Sequence, residues 1–235
     1  MDKKVIMLFL DLEGTIIGEE NGNISEERID VLLNSINNLE KATKKKVNIH
    51  IVSPVSIKNM ERIMDDIDNI IVKYNIKNNV RLDEVHSAVA YPDNKFIQKD
   101  DLYDKIFPMK MRTDDFGRSG KVNYVMSWIE SYEEKENSNN PISFSIYAGN
   151  GLNDVSAMDY IKRRKDGFVI CPKNSHKDVK KIADYISEKE EALGVADGVD
   201  YIIKQIYLKI KFIIIFYSKV TIQLPFKLIF TSIIR

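Results

Sequence analysis

Cysteine is almost absent: Cys171 is the one thiol in 235 residues, which excludes an internal disulfide and a multi-thiolate zinc site. A reducing compartment follows as the natural setting, and the expected location is the cytoplasm. Net charge is absent too, since 35 basic residues balance 35 acidic ones. Without a basic field the chain is not expected to bind nucleic acid by neutralising many phosphates. Long apolar runs are also missing. Lys3-Lys4 followed by Val5 to Leu10 is too short for a signal peptide, because the run enters Asp11, Leu12 and Glu13 after six residues. No internal repeat is visible, and the polar stretch Glu133 to Asn140 is compositional loop sequence.

What is present is enough for a core. Hydrophobic residues make up 44% of the chain and charged residues 30%, which favours a folded domain of ordinary α/β size over disorder. The charge is unevenly placed: the last acid is Asp200, and the residues after it hold Lys204, Lys209, Lys211, Lys219, Lys227 and Arg235. Residues 1–200 therefore carry −6 and the remainder +6, and a boundary is expected near residue 206, with a domain at 1–206 and an apolar, basic tail at 207–235. In the tail, Phe212 to Tyr217, Val220 to Phe226 and Leu228 to Ile234 are separated by single lysines. None reaches the roughly 18 residues of a membrane-spanning helix, and Pro225 interrupts the longest candidate. Such a tail is expected to add strands at a sheet edge, to contact a partner or a membrane surface, or to be an aberrant extension from an altered reading frame.

Periodicity gives the order of elements. Val5 to Leu10 is a continuous apolar run, expected as a fully buried strand opening into acids. Ser25-Glu-Glu caps a helix whose Ile29, Leu32, Leu33, Ile36 and Leu39 share a face up to Lys44-Lys45-Lys46. Val47 to Val52 follows as a strand ending at Ser53-Pro54. Helices are expected over 56–75, 119–132, 152–163 and from about Ser175 to Glu190, with strands at Val80 to Tyr91, Ser143 to Tyr147 and Phe168 to Cys171. The alternation implies an α/β fold, a Rossmann-like parallel sheet with helices on both faces and ligands beyond the carboxyl ends of its strands.

Four groups of chemistry-bearing residues fall at those strand ends. Asp11-Leu12-Glu13-Gly14-Thr15 places two acids one residue apart where the chain leaves the pleat, with Gly14 to permit the turn. Ser53 is the first polar residue after the second strand. Lys121 opens an amphipathic helix. Gly149-Asn150-Gly151-Leu152-Asn153-Asp154 is a glycine-rich strand-to-helix turn of a kind that brings amides and metal-binding side chains to a phosphate.

Together, in this order, the four resemble the signature of haloacid dehalogenase superfamily phosphatases: an Asp-x-Asp-x-Thr loop, a Ser or Thr after the second strand, a Lys opening a helix, and an acidic glycine-rich loop. The resemblance covers roughly residues 4–206. It implies that Asp11 attacks phosphorus to form an aspartyl-phosphate and that Glu13 protonates the leaving oxygen and then activates water. It implies that Ser53 and Lys121, with Gly14, Thr15 and Asn153, hold the phosphoryl group. Mg²⁺ would be held by Asp11, the Glu13 backbone carbonyl, Asn150 and Asp154. Two positions depart from the pattern. Glu13 stands where an aspartate is usual, as it does in some active branches such as enolase-phosphatases. Asn150 stands where the common loop has a metal-contacting aspartate, which lowers the negative charge of the metal site by one. The alternative reading is accordingly a non-catalytic phosphate-binding or regulatory protein with the same fold.

Spacing limits the cap. The 41 residues between Asp11 and Ser53 are used up by a flap at Gly18 to Asn23, a helix and a strand. Of the 67 between Ser53 and Lys121, only Pro92 to Gly120 remains free, enough for a loop or small hairpin whose Arg112, Asp114, Asp115 and Arg118 face substrate or solvent. An open site of this kind suits a bulky phosphorylated small molecule or macromolecule, or a homo-oligomer in which a neighbour closes the pocket. His50, His86 and His176 show no metal-like spacing and are expected in core or surface roles, and Trp128 is expected to anchor its helix to the sheet.

Overall fold

A computed structural model describes residues 4–18, 23–53, 57–80, 82, 85–90, 96–98, 106–107, 121–135 and 142–221. Its centre is β1 (Val5–Leu10), in which every residue is buried. A strand covered on both faces needs no polar alternation, and this one has none. β1 lies parallel to β2 (Val47–Ser53) on one side and β6 (Ile142–Ala148) on the other, with Leu10 opposite both Ile51 and Ala148. Beyond β2 comes β3 (Val85–Ala90), and beyond β6 come β7 (Gly167–Cys171) and β8 (Tyr185–Ile186), all parallel. β4 (Phe96–Gln98) and β5 (Ile106–Phe107) continue the β3 edge antiparallel, giving the order β5-β4-β3-β2-β1-β6-β7-β8. The expected α/β parallel sheet is the one observed.

Helices cover both faces. α1 (Glu26–Thr43) starts where the Ser25 side chain accepts a hydrogen bond from the Arg28 amide and stops at Lys44 in the left-handed conformation, whose N–H returns to Glu40 O. Its buried Ile29, Leu32, Leu33 and Ile36 surround a small apolar space with Leu10, Ile49, Ile51 and, from α2 (Ile57–Asn78), Ile67 and Ile71. On the opposite face Met7 and Phe9 pack with Tyr124, Val125 and Ile129 of α3 (Lys121–Lys135) and Ala157, Met158 and Ile161 of α4 (Val155–Arg163). His50 belongs to this layer, its ring centroid 4.9 Å from Phe9 and 4.7 Å from Trp128. His176 caps α5 (Lys177–Ile182), so these two histidines and Trp128 hold structural places. The side chain of His86 lies outside the described residues.

Several boundaries differ from those expected. The third strand starts at Val85 rather than Val80, because the Val80 and Leu82 amides turn back to the backbone and side-chain oxygens of Asn75 and close α2. The helix expected over Ser175 to Glu190 is limited to α5. Past it Asp184 N donates to Val169 O and Val169 N to the Asp184 carboxylate, which draws Tyr185 and Ile186 into the sheet as β8. Leu152–Asp154 is a 3₁₀ turn that leads into α4. Of the expected cap at 92–120 only β4 and β5 are described. Arg112, Asp114, Asp115 and Arg118 lie outside the described residues, as do flap residues 19–22.

The chain divides into two compact units, Met1–Val199 and Asp200–Arg235. The division falls inside α6 (Glu191–Thr221), at the last acid of the chain and earlier than the boundary expected near residue 206. Within 207–235 the described residues to Thr221 are helical, against the strands considered for this segment. Among the described residues no helix is long and apolar enough to cross a membrane.

Candidate active site

Asp11 is the first residue past β1, and its amide extends the ladder by donating to Ala148 O at 2.9 Å. The chain then turns on Leu12, whose carbonyl accepts from the amides of Thr15, Ile16 and Ile17. Gly14 makes the turn possible twice over. Its φ of +71° favours glycine, and a Cβ there would sit 2.1 Å from Asn150 Nδ2. Thr15, fully buried, donates its hydroxyl to Asn150 Oδ1 at 3.1 Å. The turn after β1 is thereby joined to the turn after β6. Glu13 bridges to Ile17 through its backbone and is exposed, apart from the buried groups around it.

Asp154 organises the second turn. Its Oδ2 accepts from the amides of Asn150 and Gly151 at 3.1 and 2.9 Å, and its Oδ1 accepts from Tyr147 Oη at 2.8 Å. Gly149 is required here because a Cβ would stand 2.6 Å from Asp154 Cγ. Lys121, the first residue of α3 and completely buried, joins the two turns: its Nζ lies 2.6 Å from Asp11 Oδ1 and 2.7 Å from Asp154 Oδ1. Sequence positions 11, 121 and 154 thus meet at the carboxyl ends of adjacent strands. Ser53 is buried at the end of β2, one strand over. Asn153 is half-buried in the 3₁₀ turn, its side chain folded against Gly151.

The electrostatics follow from burying two carboxylates with one ammonium. Burial raises the Asp11 pKa from 3.8 to about 7, the Asp154 charge adds to the rise, and Lys121 opposes it. Burial pushes Lys121 down, but its two carboxylate neighbours outweigh that and leave it above 10.5. Tyr147 is pushed well above 10 by burial and then by Asp154 and Asp11, so it remains a neutral donor. With all three charged groups ionised the cluster carries −1, which favours a proton or a cation beside Asp11.

The donor chemistry suits a hard cation. Asp11 and Asn150 offer oxygens and keep slight exposure, 4% and 5%, whereas Asp154 is at 0% with two donors on each oxygen. A hard cation entering here would meet the Asp11 and Asn150 oxygens first, while the hydrogen bonds of Asp154 orient the loop that carries Asn150. Among the described residues no three His, Cys, Asp or Glu side chains gather at one point, so a cation here would rely on amide and carbonyl oxygens as well.

Three participants were not foreseen. Tyr147 carries a hydroxyl inside a strand buried on both faces, and such a group needs a partner, which was the available signal. Asn174 Nδ2 donates to Gly14 O at 2.7 Å, and Ser175 Oγ lies 3.4 Å from Gly149 O. Both belong to Pro172–Ser175 after β7, whose short polar sequence reads as an ordinary loop.

No family model matches the sequence, and no curated protein matches it. Solved structures similar to it include 3-deoxy-D-manno-octulosonate 8-phosphate phosphatase from Moraxella catarrhalis, in complex with magnesium, phosphate and a KDO molecule: 13% identity over 92% of this chain and 94% of that one, TM-score 0.44. The cobalt-bound deoxy-D-mannose-octulosonate 8-phosphate phosphatase from Haemophilus influenzae is 12% identical over 87% and 90%, TM-score 0.44. A haloacid dehalogenase-like hydrolase protein from Bacillus subtilis is 13% identical over 86% and 91%, TM-score 0.43.

Proposed function

We propose that the protein is a Mg²⁺-dependent phosphomonoester hydrolase of the haloacid dehalogenase type, acting through an aspartyl-phosphate on Asp11. The observation that carries this reading is the buried bridge of Lys121 Nζ between Asp11 and Asp154 at the strand ends. An ammonium held between two carboxylates offsets their repulsion and that of an incoming phosphate dianion, and it keeps one Asp11 oxygen fixed. Asp11 attacks phosphorus while the bond to the leaving oxygen breaks and Glu13, at the exposed edge, gives that oxygen its proton. Water then attacks the acyl phosphate, Glu13 takes back a proton, and Asp11 and inorganic phosphate are released. Ser53, the turn at Gly14 and Thr15, and Asn153 form the rest of the phosphate cradle. Mg²⁺, held by Asp11, Asn150 and the Glu13 carbonyl with Asp154 behind them, would supply Lewis-acid neutralisation of the transferring group.

The substrate class is a phosphorylated small molecule or macromolecule, and the setting is cytoplasmic. One observation favours a second reading, a phosphate binder without turnover: Asn150 lowers the charge of the metal site and already accepts from Thr15. A phosphatase screen over sugar, nucleotide, amino-acid and protein phosphates, with Mg²⁺ and with chelator, separates the two. Chelator-sensitive phosphate release supports hydrolysis. Phosphate protecting the protein from thermal unfolding, with no release from any ester, supports the binder.

A further inference from the structure

Asn174 spends both halves of its amide on backbone groups far apart in sequence. Its Nδ2 donates to Gly14 O at 2.7 Å, and its Oδ1 accepts from the Glu191 amide at 3.2 Å. Glu191 begins α6 with φ +51°, a left-handed conformation that is unfavourable for a residue with a Cβ and persists where its surroundings hold it. From there the Glu191 side chain pairs with Arg28 in the first turn of α1, and its Oε1 lies 3.7 Å from where a Cβ of Gly18 would stand. Gly18 in turn donates its N–H to Asn23 O, closing the neck of the flap. One connected set of contacts thus runs from the turn after Asp11, through Asn174 and Glu191, to both ends of the segment that follows.

We propose that Asn174 is a positioning residue for this site: by fixing the Gly14 carbonyl against the start of α6 it holds the Asp11–Thr15 turn in its reactive shape. The inference rests on the phosphatase reading for its kinetic consequence, though not for its structural one. In a trans peptide the carbonyl of one residue and the N–H of the next point oppositely, so pinning Gly14 O also sets the Thr15 amide. Thr15 is the residue whose hydroxyl reaches Asn150. Gly14 itself cannot fix the turn, because glycine accepts many backbone conformations. The amides of Thr15, Ile16 and Ile17 bond to Leu12 O within the turn, and the Asn174 donor adds an anchor on Gly14 O from outside it; small errors of placement at a reacting centre can lower rates by up to about 100-fold.

Asn174→Asp and Asn174→Ala test this in the full chain. Aspartate keeps an acceptor for the Glu191 amide and replaces the donor to Gly14 O by a charged oxygen, whereas alanine removes both. With p-nitrophenyl phosphate and Mg²⁺, both variants should lose roughly tenfold or more in kcat with KM changed less than about twofold. Amide exchange at Thr15, Ile16 and Ile17 should quicken in both, while exchange at the start of α6 quickens only in Asn174→Ala. An Asn174→Asp variant with wild-type kcat and wild-type exchange in the turn overturns the proposal. If the wild-type chain releases no phosphate, the phosphatase reading fails, and the exchange comparison alone still supports or overturns the positioning role.

Discussion

Asp11, Lys121 and Asp154 share a buried volume in which the ammonium satisfies two carboxylates at once. The Asp11 carboxyl, raised from 3.8 to about 7, binds its proton more tightly folded than unfolded. Its contribution to stability is therefore fully present below pH about 4 and is lost as pH rises through about 7, while Lys121 stays charged in both states across that window. Metal-free protein should lose stability between pH 5 and 7.5, and added Mg²⁺ should raise the melting temperature more at pH 7.5 than at pH 5. Thermal melts at the two pH values, with chelator and with Mg²⁺, measure this; an equal Mg²⁺ effect at both would contradict it. Asn150 makes a separate forecast. Asn150→Asp adds a negative charge at the proposed cation site and should lower the half-saturating Mg²⁺ concentration for hydrolysis of an aryl phosphate, most visibly at limiting Mg²⁺. An unchanged half-saturation point would remove residue 150 from the metal site.

At the scale of elements, β8 and the start of α6 are tied by one carboxylate. Asp197 Oδ2 accepts from Tyr185 Oη and Ser187 Oγ, each at 2.7 Å, and Lys189 pairs with Oδ1 at 3.4 Å. Burial alone would raise its pKa, but these donors outweigh burial and hold it below 3.8. The stability it contributes is present above the unfolded pKa and lost as pH falls through the folded one. Asp197→Asn should lower stability by about 1–2 kcal/mol at pH 7 and by less as pH falls below about 4, read by urea unfolding at both pH values. This knot also explains what the sequence hid. Ile182-Ala-Asp-Tyr-Ile186 continues a helical spacing, and the pairing of Asp184 with Val169 and the reach of Asp197 to Tyr185 end the helix at Ile182 and make Tyr185–Ile186 a strand. By contrast β1 was legible because a strand buried on both faces is apolar throughout, β2, β6 and β7 because their carboxyl-terminal halves are largely apolar and buried, and α1 because its cap and face are local signals. Asp11, Lys121 and Asp154 could be picked out because each follows or opens a patterned element. Asn174 could not, since its partners Gly14 and Glu191 lie across a strand order that periodicity does not specify, whereas Tyr147 bonds Asp154 only seven residues on and its buried hydroxyl was the one signal for it.

For the whole molecule, each residue assigned to the proposed site lies in the unit Met1–Val199, and the acid-free, basic sequence falls after Asp200. A chain ending at Gln205 should unfold cooperatively in urea and hydrolyse phosphate esters at the rate of the full chain. Loss of the cooperative transition would show that the later residues complete the fold. The central claim, however, rests on a single oxygen of Asp11, and one measurement addresses it: the rate of phosphate release from an aryl phosphate at saturating Mg²⁺ for the wild-type chain and for Asp11→Asn. The substitution removes the proposed nucleophile with little change in volume, so the wild-type chain should turn over and the variant should fall by at least roughly 10³-fold while keeping its fold by circular dichroism. A variant releasing phosphate at the wild-type rate would contradict the account.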